Sequence, residues 1–205
     1  MTHNLFSPSS VPERIQLPGA DVTYQESLDL GAPPDEMLRA LIGETPWRQE
    51  KIAVWGKSFT QPRLVAWYGD PGRAYSYSGI RLDPLPWTPR LLGLKDRIES
   101  AASSRFNSVL LNYYRDNNDS MGMHSDDEKE LGPTPSIASV SLGAERAFVM
   151  KSKFDLNAKP KRIVLASGSL LLMKGDTQKN YKHGVPKQSA RLEPRVNLTF
   201  RAIMQ

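Results

Sequence analysis

The chain has 205 residues, 39% of them hydrophobic and 24% charged, which is enough apolar material for a core and a length suited to one domain. It contains no cysteine, and this excludes disulfide scaffolds, zinc fingers, thiol nucleophiles and iron–sulfur clusters. A net charge of +5 favours a polyanionic partner without defining one, and apolar runs such as Leu170–Met173 are far too short to cross a bilayer.

Residues 1–20 carry Pro8, Pro12 and Pro18 among serines and are expected to form a flexible arm ahead of a single domain over 21–205. The N-terminus lacks a basic-then-apolar signal pattern, so an intracellular, soluble protein is expected, cytoplasmic in a bacterium or nuclear in a eukaryote. Prolines and acids at Pro33–Glu36 open a short helix, which Gly43 is expected to close. Thr88 caps a longer helix starting at Pro89, with Leu91, Leu94, Ile98 and Ala102 along one stripe. The remaining segments have strand chemistry: 51–54, 63–68, 106–115, 136–142, 147–151, 162–166, 169–173 and 195–203. Helices confined to the N-terminal half and many short strands after it predict a mainly β protein with α, a β-sandwich or jelly roll backed by helices.

Two strands carry more than a fold prediction. On 106–115, Asn112 and Tyr114 share a face with Phe106 and Leu110. On 195–202, Arg195, Asn197, Thr199 and Arg201 share one face, and Val196, Leu198, Phe200 and Ala202 the other. Either the polar face meets water, as in an ordinary surface strand, or it lines a cavity that holds an anion, for which arginine is the suited residue.

The chain has three histidines. In extended backbone, His124 and Asp126 project to the same side. With His183 they would make the two-histidine, one-carboxylate set that holds Fe(II) on one face and leaves positions open for co-substrate and O2. By spacing alone these remain alternatives to a hydrogen-bonded core histidine or a surface loop.

Asn112-Tyr113-Tyr114, His124-Ser125-Asp126-Asp127-Glu128, His183 and Arg195-Val196-Asn197-Leu198-Thr199-Phe200-Arg201 together resemble the motif set of the AlkB family, the Fe(II)/2-oxoglutarate dioxygenases that reverse nucleobase alkylation. The similarity is to the eukaryotic-type homologues that repair DNA, and it extends through Pro62-Arg63, Tyr75–Gly79, Phe106–Ser108 and Ile137–Gly143. The resemblance implies a double-stranded β-helix (jelly roll) over about 106–205 with a nucleotide-recognition lid over about 50–80. It assigns His124, Asp126 and His183 to iron, and Asn112, Tyr114, Arg195, Asn197 and Arg201 to 2-oxoglutarate.

The resemblance also implies oxidative demethylation of bases such as 1-methyladenine and 3-methylcytosine in single- or double-stranded DNA, by a monomer and with no membrane partner. Asp127 and Glu128 then serve the cationic lesion, as an alternative to a solvated acidic loop. Tyr75 and Tyr77 match lid residues that hold the flipped nucleotide, as an alternative to core packing. Trp55, at a turn with Lys57 and Arg63 nearby, is expected either to enter the base stack while the cations meet phosphates, or to anchor its strand in the core. Two other functions remain open: a related dioxygenase acting on RNA or protein, and a non-catalytic jelly-roll module that binds nucleic acid.

Overall fold

In the computed structural model the described residues are 10–54, 57–72, 75–77, 80–82 and 84–204, with side chains described outside 52–58 and 73–83. The chain runs β1 (Glu13–Arg14), β2 (Asp21–Gln25), α1 (Pro34–Glu44), β3 (Lys51–Val54), β4 (Lys57–Thr60), β5 (Leu64–Gly69), β6 (Tyr75–Tyr77) and β7 (Ile80–Leu82). It continues with α2 (Pro89–Ala102), β8 (Ser108–Tyr114), β9 (Met121–His124), β10 (Ile137–Gly143), β11 (Arg146–Ser152), β12 (Lys161–Leu165) and β13 (Ser169–Lys174). The last elements are α3 (Thr177–Asn180), β14 (Tyr181–Val185) and β15 (Arg195–Arg201).

A seven-stranded sheet in the order β1-β2-β13-β10-β15-β8-β5 faces a four-stranded sheet in the order β12-β11-β14-β9, and two hairpins, β3-β4 and β6-β7, stand apart. This is the predicted jelly roll. The large sheet is buried on both sides. Val196, Leu198 and Phe200 pack with Val140, Leu142, Val109 and Leu111 beneath α1 and α2, whose buried residues include Met37, Leu41, Leu91, Leu94 and Ile98. On the opposite side Tyr114, Ile137, Leu171 and Met173 meet Phe148, Met150, Ile163 and Val185 of the small sheet. Period-2 alternation explains both layers, because consecutive residues on a strand serve opposite faces.

The Thr88 hydroxyl accepts from the Leu91 amide at 3.2 Å and caps α2 as expected. Helix α1 runs through Gly43 and stops at an extended Thr45. The stop lies with Pro46, which disfavours helical backbone in the residue before it. The flexible-arm expectation fails where it can be tested, for residues 10–20. Glu13 and Arg14 pair with Tyr24 and Thr23, the Tyr181 hydroxyl donates to the Pro18 carbonyl at 2.9 Å, and Ile15 and Leu17 pack on the inter-sheet core. Residues 1–9 lie outside the described residues. Among the described residues no helix is long and apolar enough to cross a membrane.

Candidate metal and co-substrate site

The space between the sheets holds the polar side chains. His124, at the end of β9, and His183, within β14, are direct cross-strand partners, and their rings lie 4.4 Å apart. Asp126 follows just beyond β9. Its Oδ1 lies 3.6 Å from His124 Nε2 and its Oδ2 lies 4.0 Å from His183 Nε2. One ligand atom from each of the three residues falls within 4.8 Å of the others. Phe148 stacks on the His183 ring at 5.1 Å and limits its rotation.

Protonation states follow from the surroundings. His124 Nδ1 sits 2.9 Å from the Gly122 carbonyl. A carbonyl only accepts, so Nδ1 carries a proton and Nε2 is the ring nitrogen turned toward Asp126. Burial, with His124 adding to it, pushes His183 down to about 3. Burial would raise Asp126, but Arg201, His183 and His124 outweigh it and hold the carboxyl down to about 2. Asp126 as a carboxylate and His183 as a neutral imidazole thus stand with His124 Nε2 at separations too long for hydrogen bonds. Neutral imidazole and carboxylate are the forms that bind a metal cation. The donor set fits Fe(II) with one face left open.

Arg201 lies closer to the metal cluster than the co-substrate expectation implied. Its Nη2 donates to Asp126 Oδ1 at 2.9 Å and its Nε to Oδ2 at 3.3 Å, a fork that fixes the carboxylate plane. Asn197 Nδ2 donates to Ser139 Oγ and the Val140 carbonyl, and Asn197 Oδ1 accepts from the Thr199 hydroxyl. The polar face of β15 is buried, so the reading in which it meets water is excluded.

Arg195, only 1% exposed, lies with its guanidinium carbon 4.9 Å from the Tyr114 ring centroid and donates from Nη2 to Ser141 Oγ at 3.0 Å. Burial is the main influence lowering its pKa. Its Nε and Nη1, with Asn112 Nδ2, are buried and have no hydrogen-bond acceptor among the described residues. A buried charged donor left unpaired costs well over 1 kcal/mol, so these donors suit an anion with several acceptor oxygens.

The expected substrate residues fare differently. Arg63 was expected to meet phosphate but is only 4% exposed. It turns inward, donating from Nε to Asn112 Oδ1 at 2.7 Å, so it positions Asn112 instead. Asp127 faces outward in an ion pair with Lys153 at 3.0 Å. Glu128 keeps a buried Oε2 without a partner among the described residues. Tyr75 and Tyr77 form β6, where they pair with Leu82 and Ile80; their side chains, like Trp55, lie outside what is described.

Sequence reasoning missed Phe148, Arg146 and Gln178. Arg146 is buried and donates to the carbonyls of Asp116, Asp119 and Pro186, tying the loop before His124 to the one after His183. Its place at the start of β11 gave no signal, since a buried arginine that pairs with carbonyls leaves no acidic partner in the pattern.

The fold and this site define a class. The family model of the 2OG-Fe(II) oxygenase superfamily matches residues 32–201, and the chain belongs to that superfamily. Within it the chain belongs to the AlkB-type family, and its His124, Asp126 and His183 could hold a metal ion. It is 44% identical over 177 residues to the mouse (Mus musculus) alpha-ketoglutarate-dependent dioxygenase alkB homolog 3, covering 82% of this chain and 61% of that protein. It is 42% identical over 182 residues to the mouse DNA oxidative demethylase ALKBH2, covering 84% of this chain and 76% of that protein. The solved structure of OsALKBH1 superposes with a TM-score of 0.58 at 18% identity, covering 94% of this chain and all of that one, and supports the fold.

Proposed function

We propose that this chain is a DNA-repair demethylase that oxidatively removes N-alkyl groups from bases such as 1-methyladenine and 3-methylcytosine. The observation that carries it is the convergence of His124, Asp126 and His183, with unpaired buried donors on Arg195 and Asn112, in a chain 42% identical to a protein named DNA oxidative demethylase. When bound, Fe(II) and 2-oxoglutarate would supply the oxidising power, so that O2 could convert an N-alkyl C–H into C–OH while 2-oxoglutarate gives succinate and CO2.

The chain's residues do the rest. His124, Asp126 and His183 hold Fe(II) from one side, with Arg201 fixing the Asp126 carboxylate. Arg195 and Asn112 receive the oxygens of 2-oxoglutarate, while Tyr114 covers the Arg195 guanidinium and Asn197 braces the pocket wall. Glu128, two residues after Asp126, keeps an unpaired acceptor, which favours a cationic methylated base over a neutral one. The hydroxymethyl product then collapses to formaldehyde and the restored base.

Residues 50–80 form the lid in this reading, with Tyr75 and Tyr77 on the flipped nucleotide. Trp55 fills the gap left in a duplex. Its replacement by alanine then lowers repair of duplex several-fold, spares single-stranded repair and leaves the melting temperature unchanged. The strand at Glu13–Arg14 and everything after it act as one domain, and the protein works as a monomer inside the cell.

Oligonucleotides carrying one defined lesion, incubated with Fe(II), 2-oxoglutarate and air, test the substrate. Conversion of a 1-methyladenine strand to the unmethylated mass, with formaldehyde released, is the expected outcome. Succinate formation with an intact lesion on DNA and removal from RNA would move the substrate to RNA.

A further inference from the structure

Asp126 must present its carboxylate to the metal from a segment that has already left β9, so something outside the strand ladder has to fix its backbone. That partner comes from α3, a single turn between β13 and β14. Gln178, which is buried, accepts the Asp126 amide N–H on its Oε1 at 3.0 Å. Its Nε2 has the Met173 sulfur at 3.5 Å, a weak acceptor that leaves the amide's orientation to the Asp126 contact.

The same residue reaches the next acid along. The Gln178 backbone carbonyl accepts from Lys153 Nζ at 2.8 Å, and that ammonium also pairs with Asp127 Oδ2 at 3.0 Å. One residue before Asp126, the Ser125 hydroxyl donates to the Tyr181 carbonyl at 2.9 Å. Residues 125–127 are thus clipped side by side to the turn that leads into the His183 strand. With its amide held on one side, Asp126 points into the site and Asp127 points out to Lys153.

We infer that Gln178 is a positioning residue for metal binding, holding Asp126 in place through its backbone and setting consecutive acids to opposite sides. The inference rests on the reading of His124, Asp126 and His183 as the Fe(II) ligands. Outer contacts that orient a ligand typically change metal affinity by about 10–100-fold when lost. Gln178→Met keeps the length and the burial but removes the acceptor. Gln178→Glu keeps an acceptor at the same place.

The test is titration of the metal-free protein with Co(II), followed by its visible absorption and by calorimetry, beside the melting temperature of each metal-free variant. Native protein binds one Co(II), and Asp126→Ala abolishes binding; failure of either result would sink the ligand assignment itself. With that control in hand, Gln178→Met should weaken Co(II) binding about tenfold or more while its metal-free melting temperature stays near native. Gln178→Glu should recover most of the affinity. Native-like Co(II) affinity in Gln178→Met would overturn the inference, as would a loss in Gln178→Glu equal to that in Gln178→Met. A Gln178→Met protein that melts early yet binds Co(II) normally when folded would assign Gln178 a structural role only.

Discussion

Two buried charges, on opposite sides of the large sheet, show how a site differs from a core. Glu99, on the helical side, has every need met: Oε1 accepts from the Phe106 amide at 2.7 Å and from Lys95 at 3.1 Å, and Oε2 accepts from Arg105 at 2.8 Å. Arg195, between the sheets, donates to Ser141, lies against Tyr114, and keeps two buried nitrogens without acceptors among the described residues. Both side chains are out of water, so burial does not distinguish them. Satisfaction does: a fold closes the hydrogen bonds of its structural charges and leaves open those that a ligand will complete.

The largest effect should come from the side built only for packing. Phe200 is fully buried beneath the helices, and Phe200→Ala should cost about 3–5 kcal/mol, lowering the melting temperature by roughly 10 °C or more. The Co(II) affinity of the folded protein should hardly change. A large loss of affinity would mean that the two faces of β15 are not independent.

The converse variant lies across the sheet. His183→Ala removes one of three proposed ligands and should weaken Co(II) binding by more than about 100-fold, beyond the usual loss from an outer contact, and abolish turnover at limiting iron. Near-native activity there would show that the cluster is a structural histidine pair.

The satisfied charge gives a smaller effect with a defined pH dependence. Burial would raise Glu99, but the Phe106 amide, Arg105 and Lys95 outweigh it and lower its pKa. The folded state therefore holds the proton less tightly than the unfolded state. The stabilisation is complete above the unfolded value of about 4.3 and is lost as pH falls through the lower folded value. Glu99→Gln should cost about 1–2 kcal/mol at neutral pH and flatten the fall in melting temperature on acidification. An unchanged acid profile would remove Glu99 from the account.

The apolar faces were the legible part of the sequence. Strands β3, β5, β8, β10 to β13 and β15, and the α2 stripe, were all predicted from periodicity, with ends shifted by a residue or two. The strands that carry the histidines were not. Met121-Gly122-Met123-His124 and Tyr181-Lys182-His183-Gly184-Val185 contain glycine. At Gly184 a side chain would meet the Met121 carbonyl at 2.8 Å, so the close pairing that joins the histidines is bought by giving up strand pattern. The metal cluster was therefore found through residue types and family resemblance, not through secondary structure. Arg63 was misplaced because a basic residue near a turn looks solvent-bound, and nothing local records that Asn112, far along the chain, takes it inward. Gln178 escaped notice because an amide in a polar turn carries no chemical label until its partner is known.

The claim that unpaired buried donors mark the co-substrate pocket is tested most directly by calorimetric titration of 2-oxoglutarate into Mn(II)-loaded native and Arg195→Met proteins. Loss of a charged hydrogen-bond donor is worth about 1.5–3 kcal/mol, so the variant should bind 2-oxoglutarate roughly 10–100-fold more weakly, with its Mn(II) affinity and its binding to a methylated oligonucleotide unchanged. Equal 2-oxoglutarate affinity in the two proteins, or a loss confined to the oligonucleotide, would contradict it.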